Sequence, residues 1–199
     1  MRIKWLGHAC FQLYTSRGVV LIDPFLSQNP LAPVKPSEVE ASVIVVTHDH
    51  FDHLGDAVEI ARRTRAKVVA VPELAASLSG VEAVAVNMGS LVDVAGIEVG
   101  LFQAFHTCER GFPASCVVKA DGATVYHAGD TALFGDMKLI GELYRPDVAM
   151  LPIGGFYTMG PREAAYALTL LKPRVAIPMH YATFPVLVQD ASAFVEEAR

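Results

Sequence analysis

Short β-branched runs broken by polar turns fill this chain, and most of them stop at a histidine or an aspartate. Ile3–Leu6, Cys10–Thr15 and Val19–Ile22 read as strands, the last two joined as a hairpin across Ser16-Arg17-Gly18. Asp23-Pro24 ends that hairpin, and Pro30, Pro33 and Pro36 mark 27–37 as a loop, either a lid or a connection. Val43–Val46 is a buried strand, and 56–63 a helix with Ala57, Val58, Ile60 and Ala61 on one face. Lys67–Val71 and Val81–Val86 read as strands around a short helix, 72–78, opened by Pro72.

The second half repeats the plan. Hairpins turn at Ala95-Gly96 (strands 91–94 and 97–105) and at Asp121-Gly122 (strands 116–119 and 124–126). A helix over 133–144, a strand over 148–151, a glycine-rich loop over 154–160 and a helix over 161–171 follow. The strand 174–178 and a closing helix over 185–197 complete the pattern. Strands first, then strand–helix units, twice over, predict two similar halves packed sheet to sheet with helices outside, a four-layer arrangement.

With 199 residues, 52% apolar and 19% charged, one globular domain spanning 1–199 with a real core is expected. A net charge of −5 gives no general attraction to nucleic acid or an anionic membrane. The one basic cluster, Arg62, Arg63, Arg65 and Lys67, closes a predicted helix, where cations suit the dipole. Cys10, Cys108 and Cys116, an odd count with no C-x-x-C, argue against a disulfide framework or a thiolate zinc site. No apolar stretch approaches the ~18 residues of a membrane span, and no signal-peptide pattern opens the chain. A cytoplasmic protein with no membrane partner is the expectation.

The chemistry concentrates in Thr47-His48-Asp49-His50-Phe51-Asp52-His53, directly after a buried strand, where α/β sheets present ligand sites. Three of the chain's 7 histidines fall in this stretch, and a solvated loop has no need of such a cluster. His48 and His50, two apart on an extended loop, can chelate one ion, while Asp52 and His53 face elsewhere and can serve a second. His48, His50, Asp52, His53, His106, Asp130 and His180 all lie where a predicted strand stops. Seven nitrogen and oxygen ligands exceed the four that one zinc ion takes. They suit two divalent ions about 3.5–4 Å apart, sharing a carboxylate and a hydroxide formed near neutral pH. Such a hydroxide needs no serine or cysteine nucleophile, and no G-x-S-x-G is present. Zinc is expected first; manganese, iron and nickel accept the same donors.

The order H-x-H-x-D-H, a lone histidine after a strand, G-D and a late histidine resembles the metallo-β-lactamase superfamily. Gly7-His8, Leu21-Ile22-Asp23-Pro24-Phe25, His127-Ala128-Gly129-Asp130-Thr131, Thr158-Met159-Gly160-Pro161 and Pro178-Met179-His180-Tyr181 look like its small metal-dependent hydrolases, related to the ascorbate-phosphate lactonase branch. The resemblance implies an α+β fold, the four-layer αββα sandwich. It assigns His48, His50 and His106 to a first metal, and Asp52, His53 and His180 to a second, with Asp130 bridging. It also implies that Asp52 orients the attacking hydroxide and that an N-terminal histidine, here His8, lies near the metal pocket. The expected activity is hydrolysis of a small-molecule ester, lactone or phosphodiester.

Several residues carry two readings. His8 either touches substrate or shuttles a proton, or bonds the backbone of its own turn. Tyr181 either donates its hydroxyl to a developing oxyanion or serves as an amphipathic wall. His127 is expected to support the Asp130 loop, and Asp23 to hydrogen-bond the metal loop or cap it. Cys108 reads as a small buried hydrophobe in preference to a soft thiolate ligand, Asp49 as pointing away from the metals or hydrogen-bonding the loop, and Arg110 as an exposed loop residue or an anion clamp.

Three rivals are weighed. A phosphodiesterase or nuclease would use the same ions, yet the compact acidic chain offers no basic arm for nucleic acid. A di-iron oxygen-reducing protein of this fold would carry a flavin domain, for which no sequence remains. A non-catalytic metal-binding protein would tolerate loss of ligands, and all seven are present. A homo-oligomer is a fair expectation from symmetry alone.

Overall fold

In the computed structural model, which describes residues 1–199, twelve strands form two six-stranded sheets, each laid down in chain order. The first sheet contains β1 (Arg2–Trp5), β2 (Phe11–Thr15), β3 (Gly18–Ile22), β4 (Val43–Val45), β5 (Lys67–Ala70) and β6 (Glu82–Ala85). The second contains β7 (Val92–Val94), β8 (Ile97–Gln103), β9 (Ala114–Ala120), β10 (Ala123–His127), β11 (Val148–Pro152) and β12 (Val175–Met179). Six helices accompany them: α1 (Phe51–Leu54), α2 (Ala57–Thr64), α3 (Pro72–Ser77), α4 (Met137–Tyr144), α5 (Pro161–Leu171) and α6 (Ser192–Glu197).

Each sheet starts antiparallel and finishes parallel. Strands β1 to β3 pair antiparallel and β3 to β6 parallel; β7 to β10 pair antiparallel and β10 to β12 parallel. Hairpin chemistry fixes the register where parallel pairing does not. Asp121 and Gly122 have φ of 53° and 71°, the two left-handed residues that a tight hairpin requires, and Ala120 faces Ala123 across them. One continuous core of 52 buried residues draws on both sheets, with Leu13, Leu21 and Ile44 from the first and Leu101, Val118 and Tyr126 from the second. At one end the sheets are pinned by hydrogen bonds from Ser16 to the Asp121 carboxylate, 2.6 Å for the hydroxyl. The result is the expected four-layer αββα sandwich, and no helix is long and apolar enough to cross a membrane.

This topology positions the site. Strands β3 and β4 run parallel, so Asp23 and Thr47 emerge at the same edge of the first sheet. In the second sheet β8 and β10 are both antiparallel to β9, and β10, β11 and β12 are parallel. His106, Asp130 and His180 therefore also leave their strands at one edge.

Three elements differ from the sequence reading. Residues 51–54 form a helical turn, α1, in which His53 and Leu54 donate their N–H groups to the His50 carbonyl, so the motif is only half loop. Four residues carry no readable apolar period, yet the turn separates Asp52 and His53 by about 100°. The closing helix begins at Ser192, not 185, because the Asp190 carboxylate accepts the Ser192 N–H (2.8 Å) and starts it there. Residues before it are tied to the site instead: Val188 donates to the Gly154 carbonyl and Ala182 to that of Val188. The helix expected from 133 begins at Met137.

Candidate metal centre

The loops that leave the strands converge their imidazoles and carboxylates into two adjoining groups. Ligand atoms of His48, His50 and His106 all lie within 4.8 Å of one another, as do those of Asp52, His53 and His180 together with His8. Asp130 stands between the groups. Its Oδ1 is 3.2 Å from His53 Nε2, and its Oδ2 is 3.0 Å from His180 Nε2 and 3.5 Å from His106 Nε2. All seven residues read from the sequence as metal ligands are thus gathered in one place.

The buried atoms meet a cation's requirements better than each other's. His53 Nε2, Asp130 Oδ1 and both ring nitrogens of His180 are buried without a hydrogen-bond partner, although their neighbours are close. Buried polar atoms are normally satisfied, and unpaired ones cost about 1–3 kcal/mol each. His48 Nε2 and His50 Nδ1 lie 3.0 Å apart and share a hydrogen bond, whereas the His53, Asp130 and His180 atoms converge without one, a donor set suited to divalent metal.

The protonation states suit it as well. Burial pushes His48 and His106 down from the usual imidazole range, with Asp130 acting against the shift in both cases. Burial opposes ionisation of Asp52 and Asp130, yet His8 and His53 hold Asp52 low, and His180 and His53 hold Asp130 well below the carboxylate range. Neutral imidazoles and ionised carboxylates are the forms that bind metal. His53 is the exception: burial pulls it down, but Asp130 and Asp23 together raise it well above the ordinary value.

A second ring of contacts aims these ligands. Asp23 accepts His53 Nδ1–H at 2.8 Å, the Thr47 N–H at 2.8 Å and the Thr47 hydroxyl at 2.7 Å. Thr47 Oγ1 in turn lies 3.0 Å from His48 Nδ1, so one carboxylate orients a histidine of each group. His127 is not in either group. Its Nε2–H donates to the Ala9 carbonyl (2.9 Å) and its Nδ1 accepts the Gly129 N–H (3.1 Å), which supports the Asp130 loop as expected. Main-chain bonds stitch the loops together: His180 N–H to the His8 carbonyl, Ala114 N–H to Thr47, and Ala132 N–H to Phe105. Three of the residues, His8, Asp23 and His180, hold left-handed backbone angles of 53°, 44° and 57°, sparsely populated for side chains larger than glycine's.

His8 is fully buried against the second group. Its Nε2–H donates to Asp52 Oδ2 (3.2 Å), its Nδ1 lies 2.9 Å from Thr183 Oγ1, and its ring lies 3.9 Å from that of His180. Burial lowers its pKa to about 4, against the pull of Asp52, so the ring is neutral. Tyr181 sits elsewhere. Its ring stacks on Trp5 at 5.5 Å, it does not line the cleft above the ligands, and no polar contact aims its hydroxyl at the site. Arg110 is engaged by Asp49 at 3.2 Å, which explains both residues' absence from the centre. Cys108 is likewise outside both groups, and it is half-buried beside the Arg110 carbonyl, not the buried hydrophobe expected.

A family model described as Beta-lactamase superfamily domain matches residues 2–180. The chain belongs to the metallo-β-lactamase superfamily. Within that superfamily, a UPF0173 metal-dependent hydrolase of Archaeoglobus fulgidus is 52% identical, aligned over 98% of this chain and 89% of its own. A UPF0173 metal-dependent hydrolase of Thermofilum pendens is 53% identical over 98% and 90%. The solved structure of Igni18, a metallo hydrolase from the archaeon Ignicoccus hospitalis, superposes with a TM-score of 0.92 at 38% identity, covering 98% of this chain and 89% of that one. By this kinship the chain is a metal-dependent hydrolase of the superfamily.

Other residues around the site are not evident in the sequence. A cleft of about 580 Å³ opens over His50, Asp52, His106, Asp130 and His180, walled by Phe51, Tyr157, Phe184 and Val186. Nothing in their spacing joins these four. Phe51 alone carried a signal, an apolar residue inside a polar motif. Thr183, the partner of His8, sat three residues past His180 without any pattern around it.

Proposed function

We propose that the chain is a dinuclear metal-dependent hydrolase of small-molecule esters, lactones or phosphodiesters. The observation that carries this reading is the position of Asp130, whose two oxygens face ligands of both groups. His48, His50 and His106 would hold one ion, Asp52, His53 and His180 the other, and Asp130 both. Bound there, two divalent ions would supply a water activated near neutral pH and positive charge for the oxygen that turns anionic as the carbonyl carbon or phosphorus is attacked.

The chain's own side chains do the rest. Asp52 is ionised and aimed by His8, so it is placed to orient the attacking water from the cleft floor. His8 has no exposure to the cleft and acts as a positioning residue for Asp52 and, by ring packing, for His180. Asp23 and Thr47 hold His53 and His48 with their second nitrogens facing the site. The main-chain ties between loops keep the constellation in place before substrate arrives.

The test is turnover of a model ester, lactone and phosphodiester before chelation, after it, and after zinc or manganese is returned. Metal-restored hydrolysis of one class supports the reading. Turnover indifferent to chelation, or none from metal-loaded protein, contradicts it.

A further inference from the structure

The geometry points to a substrate class: an uncharged carbonyl ester or lactone carrying an apolar chain or ring, seated against Phe51, Tyr157, Phe184 and Val186. The inference rests on the hydrolase reading and narrows it.

The cleft floor is made of the candidate ligands, and the remaining lining is Phe51, Thr107, Tyr157, Phe184, Pro185 and Val186. None of the chain's 16 lysines and arginines lines it. Arg110, on the adjacent loop, is already paired with Asp49. The neighbouring depression, about 490 Å³ and sharing His50 and Phe51, carries Glu109 beside Asp49, which Arg110 pairs, and Asp56, which accepts the Leu26 and Ser27 N–H groups. Ions at the floor would serve the reacting group, but any further anionic group would find apolar walls on one side and carboxylates on the other. Burying a charge against such walls without a partner is strongly unfavourable.

The walls have the form of an apolar seat. Phe51 is 62% exposed and Tyr157 54%, large faces left at the mouth. Phe51 is held edge-on to Phe25 at 5.7 Å and lies 6.2 Å from Phe184, so an aromatic cluster backs the cleft. Next to Tyr157 in the chain, Phe156, 77% exposed, packs edge-on to that ring at 4.8 Å. Phe156 does so with a φ of 56°, a backbone state unfavourable to a bulky side chain. Exposed aromatics lining a cleft, one of them packed on a neighbour held in a strained backbone state, fit a binding role. The volume matches sites that take small organic ligands.

The experiment uses the metal-loaded full chain and 4-nitrophenyl acetate, butyrate and hexanoate. Beside them stand the adipate monoester, which ends in a carboxylate, and bis(4-nitrophenyl) phosphate. Each enclosed methylene should raise kcat/KM about two- to fourfold. With four methylenes added from acetate to hexanoate, an increase of roughly 16- to 250-fold is expected, with the adipate monoester at or below acetate. Phe51→Ala and Val186→Ser, both at solvent-exposed positions, should shrink the hexanoate-to-acetate ratio severalfold. A flat chain-length profile, equal turnover of the carboxylate-ended ester, or preference for the phosphodiester overturns the inference and leaves the hydrolase reading standing. No turnover of any substrate overturns the hydrolase reading, and the inference falls with it.

Discussion

Asp23 Oδ2 lies 2.8 Å from His53 Nδ1, with both side chains sealed from solvent. The bond sets the tautomer of His53 and turns its other nitrogen towards Asp130. The same carboxylate reaches His48 through Thr47. Replacing it with an amide, Asp23→Asn, should weaken metal affinity about 10- to 100-fold, the usual consequence of losing a ligand's orienting carboxylate. Competition with a fluorescent chelator measures this. Undiminished affinity would show that His53 needs no such orientation.

Gly129 has a φ of 60°, and a Cβ there would stand 2.5 Å from the Ala114 carbonyl oxygen. Both the backbone state and the contact exclude a side chain beside Asp130. Gly129→Ala should cost more than about 1 kcal/mol of stability and shift Asp130 enough to lower metal content. A variant with wild-type denaturation midpoint and metal content would refute this.

His127 is expected to make the fold acid-sensitive. Burial keeps its folded-state pKa below the ordinary value. Its single ring proton is committed to Ala9, and Nδ1 must stay bare to accept Gly129 N–H. The unfolded chain therefore binds a proton that the folded chain refuses, and stability present above about pH 6.5 is lost as pH falls below it. His127→Gln can still donate and accept but does not titrate. It should be less stable by about 1–3 kcal/mol at neutral pH, with a shallower loss between about pH 7.5 and 5 in urea titrations. Parallel profiles for the two proteins would exclude His127 as the source.

Tyr181→Phe keeps the ring that stacks on Trp5. Turnover and metal content should stay within about twofold of wild type. A tenfold fall in kcat with intact metal would restore a catalytic role to the hydroxyl.

Much of this was legible in the sequence because the ligands stop strands. An apolar run that breaks into a ligand-bearing stretch places that stretch at the end of its strand: Thr47-His48 after Val43–Val46, His106 after Ile97–Phe105, and His127 to Asp130 after Thr124–Tyr126. Turn chemistry was equally readable, as at Asp121-Gly122. The helical turn at Phe51–Leu54 was not, since four polar-rich residues have no period. Nor were Thr183 beside His8 or Phe184 beside Phe51, because those meetings depend on how loops far apart in sequence fold over one edge. Tyr181 shows the same limit from the other side. It follows a ligand in sequence, yet His180 and Ala182 on either side of it have φ of 57° and 60°, and its ring lies against Trp5 instead of the cleft.

The most direct test of the account is the number of divalent ions bound per chain at saturation, by elemental analysis of wild type and His50→Ala. Two ions per wild-type chain, fewer in the variant, and hydrolysis lost with them are predicted. A single ion per wild-type chain, or a His50→Ala protein with full metal content and turnover, would contradict the dinuclear site.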